Sequence, residues 1–232
     1  MLALLLAMTL ACEVAAGDAV GYAAAVRPEA QASLGGGAMC TPAVGAAVSM
    51  QDRFRTGAGG RIDLVFRDGS AITIGPNSEL TLDRFVFDRE ADRGELAVSV
   101  AKGVFRFIGG RISKTRPVRF RAPTAVIGIR GGMALLNVQA AEDRHAAGQG
   151  NGALSRMPAE ATSVPSQARP RPEIPDITAT FLYGIDLTVQ TATGRQRMTR
   201  PGFSIATGRG GTPELPAPAL QEALDDVARA LQ

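Results

Sequence analysis

Between Arg61 and Val138 the chain alternates apolar and polar residues with period two, broken by turn residues. That pattern belongs to strands with one buried face. In RIDLVFR, Ile62, Leu64 and Phe66 fall on one side and Arg61, Asp63 and Val65 on the other. Asp68-Gly69 follows and predicts a hairpin closed by a type I′ turn, with Ile72 and Ile74 of the return strand in phase. Gly75-Pro76-Asn77-Ser78 predicts the next turn. Leu80 and Leu82, then Phe85 and Phe87, continue the alternation. ELAVSVA places Leu96, Val98 and Val100 together; Lys102-Gly103 reads as a turn; Phe105 and Phe107 oppose Arg106. Beyond a turn at Gly109-Gly110, Val118 and Phe120 oppose Arg119 and Arg121. TAVIGI and MALLNV are two further strands, split by Arg130-Gly131-Gly132. No helical period appears in this interval. Short strands at turn spacings of roughly 8–12 residues predict an all-β domain. The near-regular spacing suggests a β-solenoid or roll-like stack; a β-sandwich is the alternative, because both bury one face of every strand.

The flanks differ from this centre. Residues 17–50 are small and apolar, with one or two short strands around the turn cluster Gly35–Gly37, and they join 51–138 in one domain, 17–138. Residues 139–176 carry Pro158, Pro165, Pro170, Pro172 and Pro175 among Ala, Gly, Ser and Gln, and read as a flexible insertion. Residues 177–207 restore strands and turns that close the same domain. The tail, 208–232, ends in ALQEALDDVARALQ, where Leu220, Leu224, Val227 and Leu231 form the stripe of an amphipathic helix expected to dock on its own domain. At the other end, the apolar run before Glu13 is too short to cross a bilayer. Residues 1–16 fit a secretory signal with small residues at Val14–Ala16, so the expectation is a periplasmic protein without a transmembrane span. The alternative is a cytoplasmic chain with a buried N-terminal helix. Cys12 lies in that run, so Cys40 would stand alone in the mature chain as a small buried thiol.

Several chemistries are disfavoured. His145, the single histidine, lies in the insertion, which removes Ser-His-Asp, Cys-His and H-E-x-x-H arrangements. Asp83, Asp88, Glu90 and Asp92 are interleaved with Arg84, Arg89 and Arg93, and read as a self-neutralised loop rather than a glycosidase pair or a calcium site. Gly128-Ile-Arg-Gly131-Gly132 has neither the dinucleotide nor the P-loop spacing. Its glycines read as backbone positions at a bend. No catalytic, cofactor-binding or metal-binding residue is therefore assigned, and no cofactor is expected.

Charge is the remaining signal. The formal net charge is +3, but Leu96 to Ala141 contains no Asp or Glu and eight Lys or Arg. Alternation turns Arg106, Arg119 and Arg121 outward, with Arg111 and Lys114 nearby in sequence. These five make a candidate face for an anionic partner: peptidoglycan, acidic polysaccharide or an acidic protein surface. Nucleic acid is disfavoured, because no aromatics interleave with the charges. The alternative is that these charges pair with Asp83–Glu95.

Four blocks in order carry a resemblance: Arg55-Thr56-Gly57; Asp68-Gly69-Ser70; Gly75-Pro76-Asn77-Ser78; and Pro123-Thr124-Ala125 through Gly128-Ile129-Arg130-Gly131, with Gly103 in KGVFRFIGG between the last two. Together they resemble the FecR-domain family of bacterial envelope proteins, firmly over 50–138 and loosely over 178–207. Ala122 stands where the family usually has Thr. The resemblance implies an all-β periplasmic module. In the best-known members that module sits outside a transmembrane helix and relays a signal to an extracytoplasmic-function sigma factor. The resemblance assigns stand-alone versions of the module no defined activity; the expectation for this chain, from its residues and the resemblance together, is a stand-alone, non-enzymatic module working through an envelope protein partner in sensing or signal relay. The alternative is binding of an anionic envelope polymer.

Overall fold

A computed structural model describes residues 19–139, 176–207, 211–219 and 221–231. The strands are β1 (Gly21–Val26), β2 (Ala30–Ser33), β3 (Ala47–Val48), β4 (Arg53–Thr56), β5 (Ile62–Phe66), β6 (Ala71–Ile74), β7 (Glu79–Asp88) and β8 (Arg93–Ile108). A short helix α1 (Arg111–Thr115) precedes β9 (Val118–Arg121), β10 (Val126–Arg130) and β11 (Met133–Val138). Then come β12 (Ile177–Tyr183), β13 (Asp186–Gln190), β14 (Arg195–Met198), β15 (Phe203–Thr207), β16 (Ala217–Pro218) and α2 (Gln221–Ala230). The signal-like residues 1–16, His145 and the proline-rich stretch lie outside the described residues. The ends of that stretch meet: the Gln139 N–H donates to the Asp176 carbonyl at 3.0 Å.

The strands join one mixed sheet that divides at β8 into two wings. The C-terminal part of β8 pairs with β6 and β11, and that wing runs from β3, β1 and β5 on one side to β12, β15 and β16 on the other. The N-terminal part pairs with β7 and β9, in a second wing that runs from β2 and β4 to β10, β13 and β14. The wings face each other across one core. Phe66 of β5 stacks on Phe85 of β7 with ring centroids 5.6 Å apart, and Phe107 of β8 meets Phe120 of β9 edge-on at 5.4 Å. All-β is thus the fold class. Every strand pair is antiparallel except β8–β9, so the parallel coil-on-coil pairing of a solenoid does not run through the sheet. The shared core is that of a sheet folded over itself.

Alternation places the core as the sequence implies. Ile62, Leu64, Phe66, Ile72, Ile74, Phe105, Phe107, Val118 and Phe120 are all buried. In β7 the buried set shifts from Leu80 and Leu82 to Phe85, because the register slips between Leu82 and Arg84. One extra residue re-phases the strand.

Four local expectations are corrected. First, the β5–β6 hairpin is not closed by a type I′ turn, which needs positive φ at both central residues. Only Gly69 has it (φ 81°); the connection is the four residues 67–70, with a Gly69 N–H to Phe66 carbonyl bond of 3.0 Å. Second, Lys102-Gly103 is not a turn but the bend inside β8, with Gly103 at φ 111°. Third, Arg111–Thr115 is helical; five residues are too few to display a period. Fourth, residues 19–50 hold three strands, not one or two. In the tail, Leu231 is buried and lies beside Gly75, so this end of α2 rests on its own domain. Leu220 lies outside the described residues.

Candidate functional site

Thr56, Asp68, Ser70 and Ser78, from the first three sequence blocks, are spent on the backbone. The Thr56 hydroxyl, at the end of β4, donates to the Gly75 carbonyl at 2.6 Å and accepts from the Ser78 N–H at 2.9 Å. Ser78 Oγ in turn accepts the Val104 N–H at 3.0 Å. These bonds tie β4, the β6–β7 turn and the bend of β8 into one knot. The Asn77 N–H donates to the Gly57 carbonyl at 3.0 Å, which draws Gly57 into it. Gly103 must approach closely here, since a Cβ on it would stand 2.0 Å from Ser78 Oγ. A second knot centres on Asp68, which is buried. Its carboxylate accepts from the Ser70 N–H and hydroxyl at 3.0 and 2.6 Å, and from the Ile112 N–H at 3.2 Å. Ser70 Oγ accepts the Gly110 N–H at 3.1 Å. Both knots satisfy backbone groups that would otherwise be buried unpaired.

Gly131 and Gly132 both have positive φ, 61° and 88°. They carry the chain from β10 in one wing to β11 in the other, while Gly184 and Ile185 carry β12 back to β13. The two crossings touch: a Cβ on Gly132 would stand 1.7 Å from the Tyr183 carbonyl oxygen. The Gly131 N–H donates to the Ser113 carbonyl at 2.8 Å. Pro123 is exposed in the turn between β9 and β10.

The basic residues do not gather on one face. Arg106 stands on the outer side of the first wing and donates to Thr73 Oγ1 at 3.1 Å. Arg119 and Arg121 stand on the outer side of the second wing, across the core. Alternation sends all three outward without saying to which wing each belongs. Carboxylates of the preceding hairpin also meet them. Arg121 pairs with Asp83 at 3.0 Å, and Arg119 with Glu95 at 3.0 Å, while Arg84 holds the other Glu95 oxygen at 2.8 Å. Arg111 on α1 pairs with Asp92 and lies over the Phe87 ring at 5.6 Å. Lys114, also on α1, is exposed. Such exposed pairs contribute about 0–1 kcal/mol each, but they offset the charge that an anionic polymer would need.

The acidic loop is committed as well. The Asp88 carboxylate accepts the Glu90 and Ala91 N–H groups at 2.9 and 3.1 Å. Among the described residues no three His, Cys, Asp or Glu stand close enough to hold a metal. Nor is any helix of these residues long and apolar enough to cross a membrane. Cys40 is disulfide-bonded.

Sequence reasoning passed over Asp52, Arg195 and Arg197. Asp52 has no exposure and accepts the Gly35 and Ser49 N–H groups, each at 2.7 Å. Burial pushes its carboxyl up from the usual aspartate range, against the pull of those two bonds. Arg197 pairs with Asp186 of the neighbouring strand at 2.8 Å. The signal for these arginines was present: Arg195-Gln-Arg197 sets both on one side of a strand.

One comparison with known proteins agrees with the family resemblance. Residues 52–149 match the model of the FecR family, described as FecR protein. A search of curated proteins finds no match. Two crystal structures of a candidate anti-sigma factor from Parabacteroides distasonis ATCC 8503 resemble the fold, with TM-scores of 0.49 and 0.48 at 13% and 12% identity. Each alignment covers 75% of this chain and 62% of that one.

Proposed function

We propose, from the match of residues 52–149 to the FecR family, that this chain is a regulatory module that works by binding another protein in envelope sensing or signal relay. The family match is the observation that carries this reading. The fate of the motif residues supports it. Thr56, Asp68, Ser70 and Ser78 are buried and bonded to backbone groups, so they hold a scaffold together instead of facing a substrate. The reading places the module in the periplasm, and it is non-enzymatic. The polymer-binding alternative draws less support, because Arg111, Arg119 and Arg121 already have carboxylate partners.

Cross-linking in intact cells with a C-terminally tagged chain tests this, beside a variant with Arg106, Arg119 and Arg121 changed to Gln. A discrete protein adduct from the envelope fraction, retained in the variant, is the expected result. Sedimentation with cell-wall material that the variant loses would transfer the role to polymer binding. Recovery from the cytosol alone would overturn both.

A further inference from the structure

We propose that the outer face of the second wing holds an oxyanion-binding dish, built over Gly128 and walled by arginines, which takes a carboxylate or phosphate group. The strand register builds it. Arg119 of β9, Gly128 of β10, Thr188 of β13 and Arg197 of β14 are successive cross-strand neighbours. In such a row each side chain normally covers the sheet beneath it. At Gly128 there is none, and the nearest atom to a Cβ placed there is Pro117 Cβ at 3.6 Å. The row therefore dips in the middle, into a hollow of about 410 Å³. Arg130 stands two residues along β10 on the same face and lines the hollow, as do Arg195 and Gln190.

The electrostatics favour an anion. Four arginines and a single carboxylate, Asp186, line the hollow. Asp186 holds one Arg197 nitrogen at 2.8 Å, and Glu95 holds one Arg119 nitrogen at 3.0 Å. Each guanidinium has five N–H groups in a planar fork, so one contact leaves most of them available. The Arg130 Nε is buried and has no hydrogen-bond partner among the described residues. A buried N–H without an acceptor is costly. The Thr188 hydroxyl and the Gln190 amide add neutral hydrogen-bonding groups of the kind that orient a ligand. This site shares only Arg119 with the five-residue face read from sequence for an anionic partner, and its existence does not depend on the regulatory role.

Calorimetric titration of the purified full chain tests it, with inorganic phosphate and glutarate as separate probes. Side-chain nitrogen–proton NMR of the arginine Nε groups reads the same titrations. One saturable site is expected, with the Arg130 Nε–H signal moving as it fills. Arg130→Gln removes the charge and the fork, and should weaken binding about tenfold or more. Gly128→Val removes no charge, fills the floor, and suits a strand; it should weaken binding to a similar degree while the far-UV circular dichroism stays unchanged. Arg55→Gln, on β4 and outside the hollow, should leave affinity alone. Tighter binding of phosphate assigns a phosphoryl ligand, and tighter binding of glutarate a carboxylate. No saturation by either probe up to roughly 10 mM would overturn the site, as would an affinity that Gly128→Val and Arg130→Gln both leave unchanged.

Discussion

A carboxyl group sealed from water between two backbone N–H donors sets a pH dependence that belongs to one residue. Asp52 is held above the usual aspartate range by burial, which outweighs the bonds from Ser49 and Gly35. In the unfolded chain it ionises near pH 4, while in the folded chain it keeps its proton to higher pH. Across that window the folded state binds more protons than the unfolded one, so the contribution of Asp52 to stability falls as pH rises. Asn at this position does not titrate. Urea midpoints of the parent and of Asp52→Asn, taken from pH 3.5 to 7, should therefore shift in favour of the variant with rising pH. A shift in the opposite direction would show that the two hydrogen bonds outweigh burial. The buried Asp68 shows how context separates such residues: its acceptors are filled by Ser70 and Ile112, so it works as a clasp. In the sequence, both are simply aspartates near turns.

Among the elements, β8 decides the most. Its sixteen residues serve both wings, and the change of wing happens at Gly103, where φ is 111°. The Lys-Gly pair looks like a turn because such a φ usually marks one. Here the ladder continues on both sides, and the strand bends without reversing. Gly103→Ala should cost about 2 kcal/mol or more, since the new methyl needs both that φ and the space of Ser78. Adding Ser78→Ala should not restore stability, because the Ser78 Cα itself lies 2.4 Å from the added carbon. Denaturant unfolding of the single and double variants measures this. A double variant as stable as Ser78→Ala alone would place the clash at the hydroxyl only. The helix α1 escaped the sequence reading for a related reason: a single turn cannot show a period, and what holds it is Asp68 from another hairpin accepting the Ile112 N–H.

At the scale of the described fold, the molecule is one open sheet folded over itself, with aromatic contacts between its wings. Phe107 and Phe120 are fully buried and belong to different wings. Phe107→Ala should lose about 3–5 kcal/mol, and the double variant with Phe120→Ala should lose less than the sum, because the rings share one contact. Thermal and urea unfolding of the four chains checks both statements; simple additivity would mean that the wings are not coupled through this pair. The folded sheet also explains why eight basic residues without an intervening acid do not make one positive face. Strand order sends Arg106 to one outer surface and Arg119 and Arg121 to the other, and the acidic hairpin pairs beside the latter two.

The sequence by itself determined the all-β class, most of the buried face of each strand, and the family blocks, because period-two burial and turn chemistry are local properties that short segments display. It also displayed Arg195 and Arg197 as alternate residues of one strand. Only the tertiary structure decided that Gly128 lies between Arg119 and Thr188, that Gly131 packs beside Ile185, and that the strands fold over one core. Those facts depend on register between segments far apart in the chain. Register is fixed by which apolar faces meet, and that is settled only when the whole sheet folds over its core.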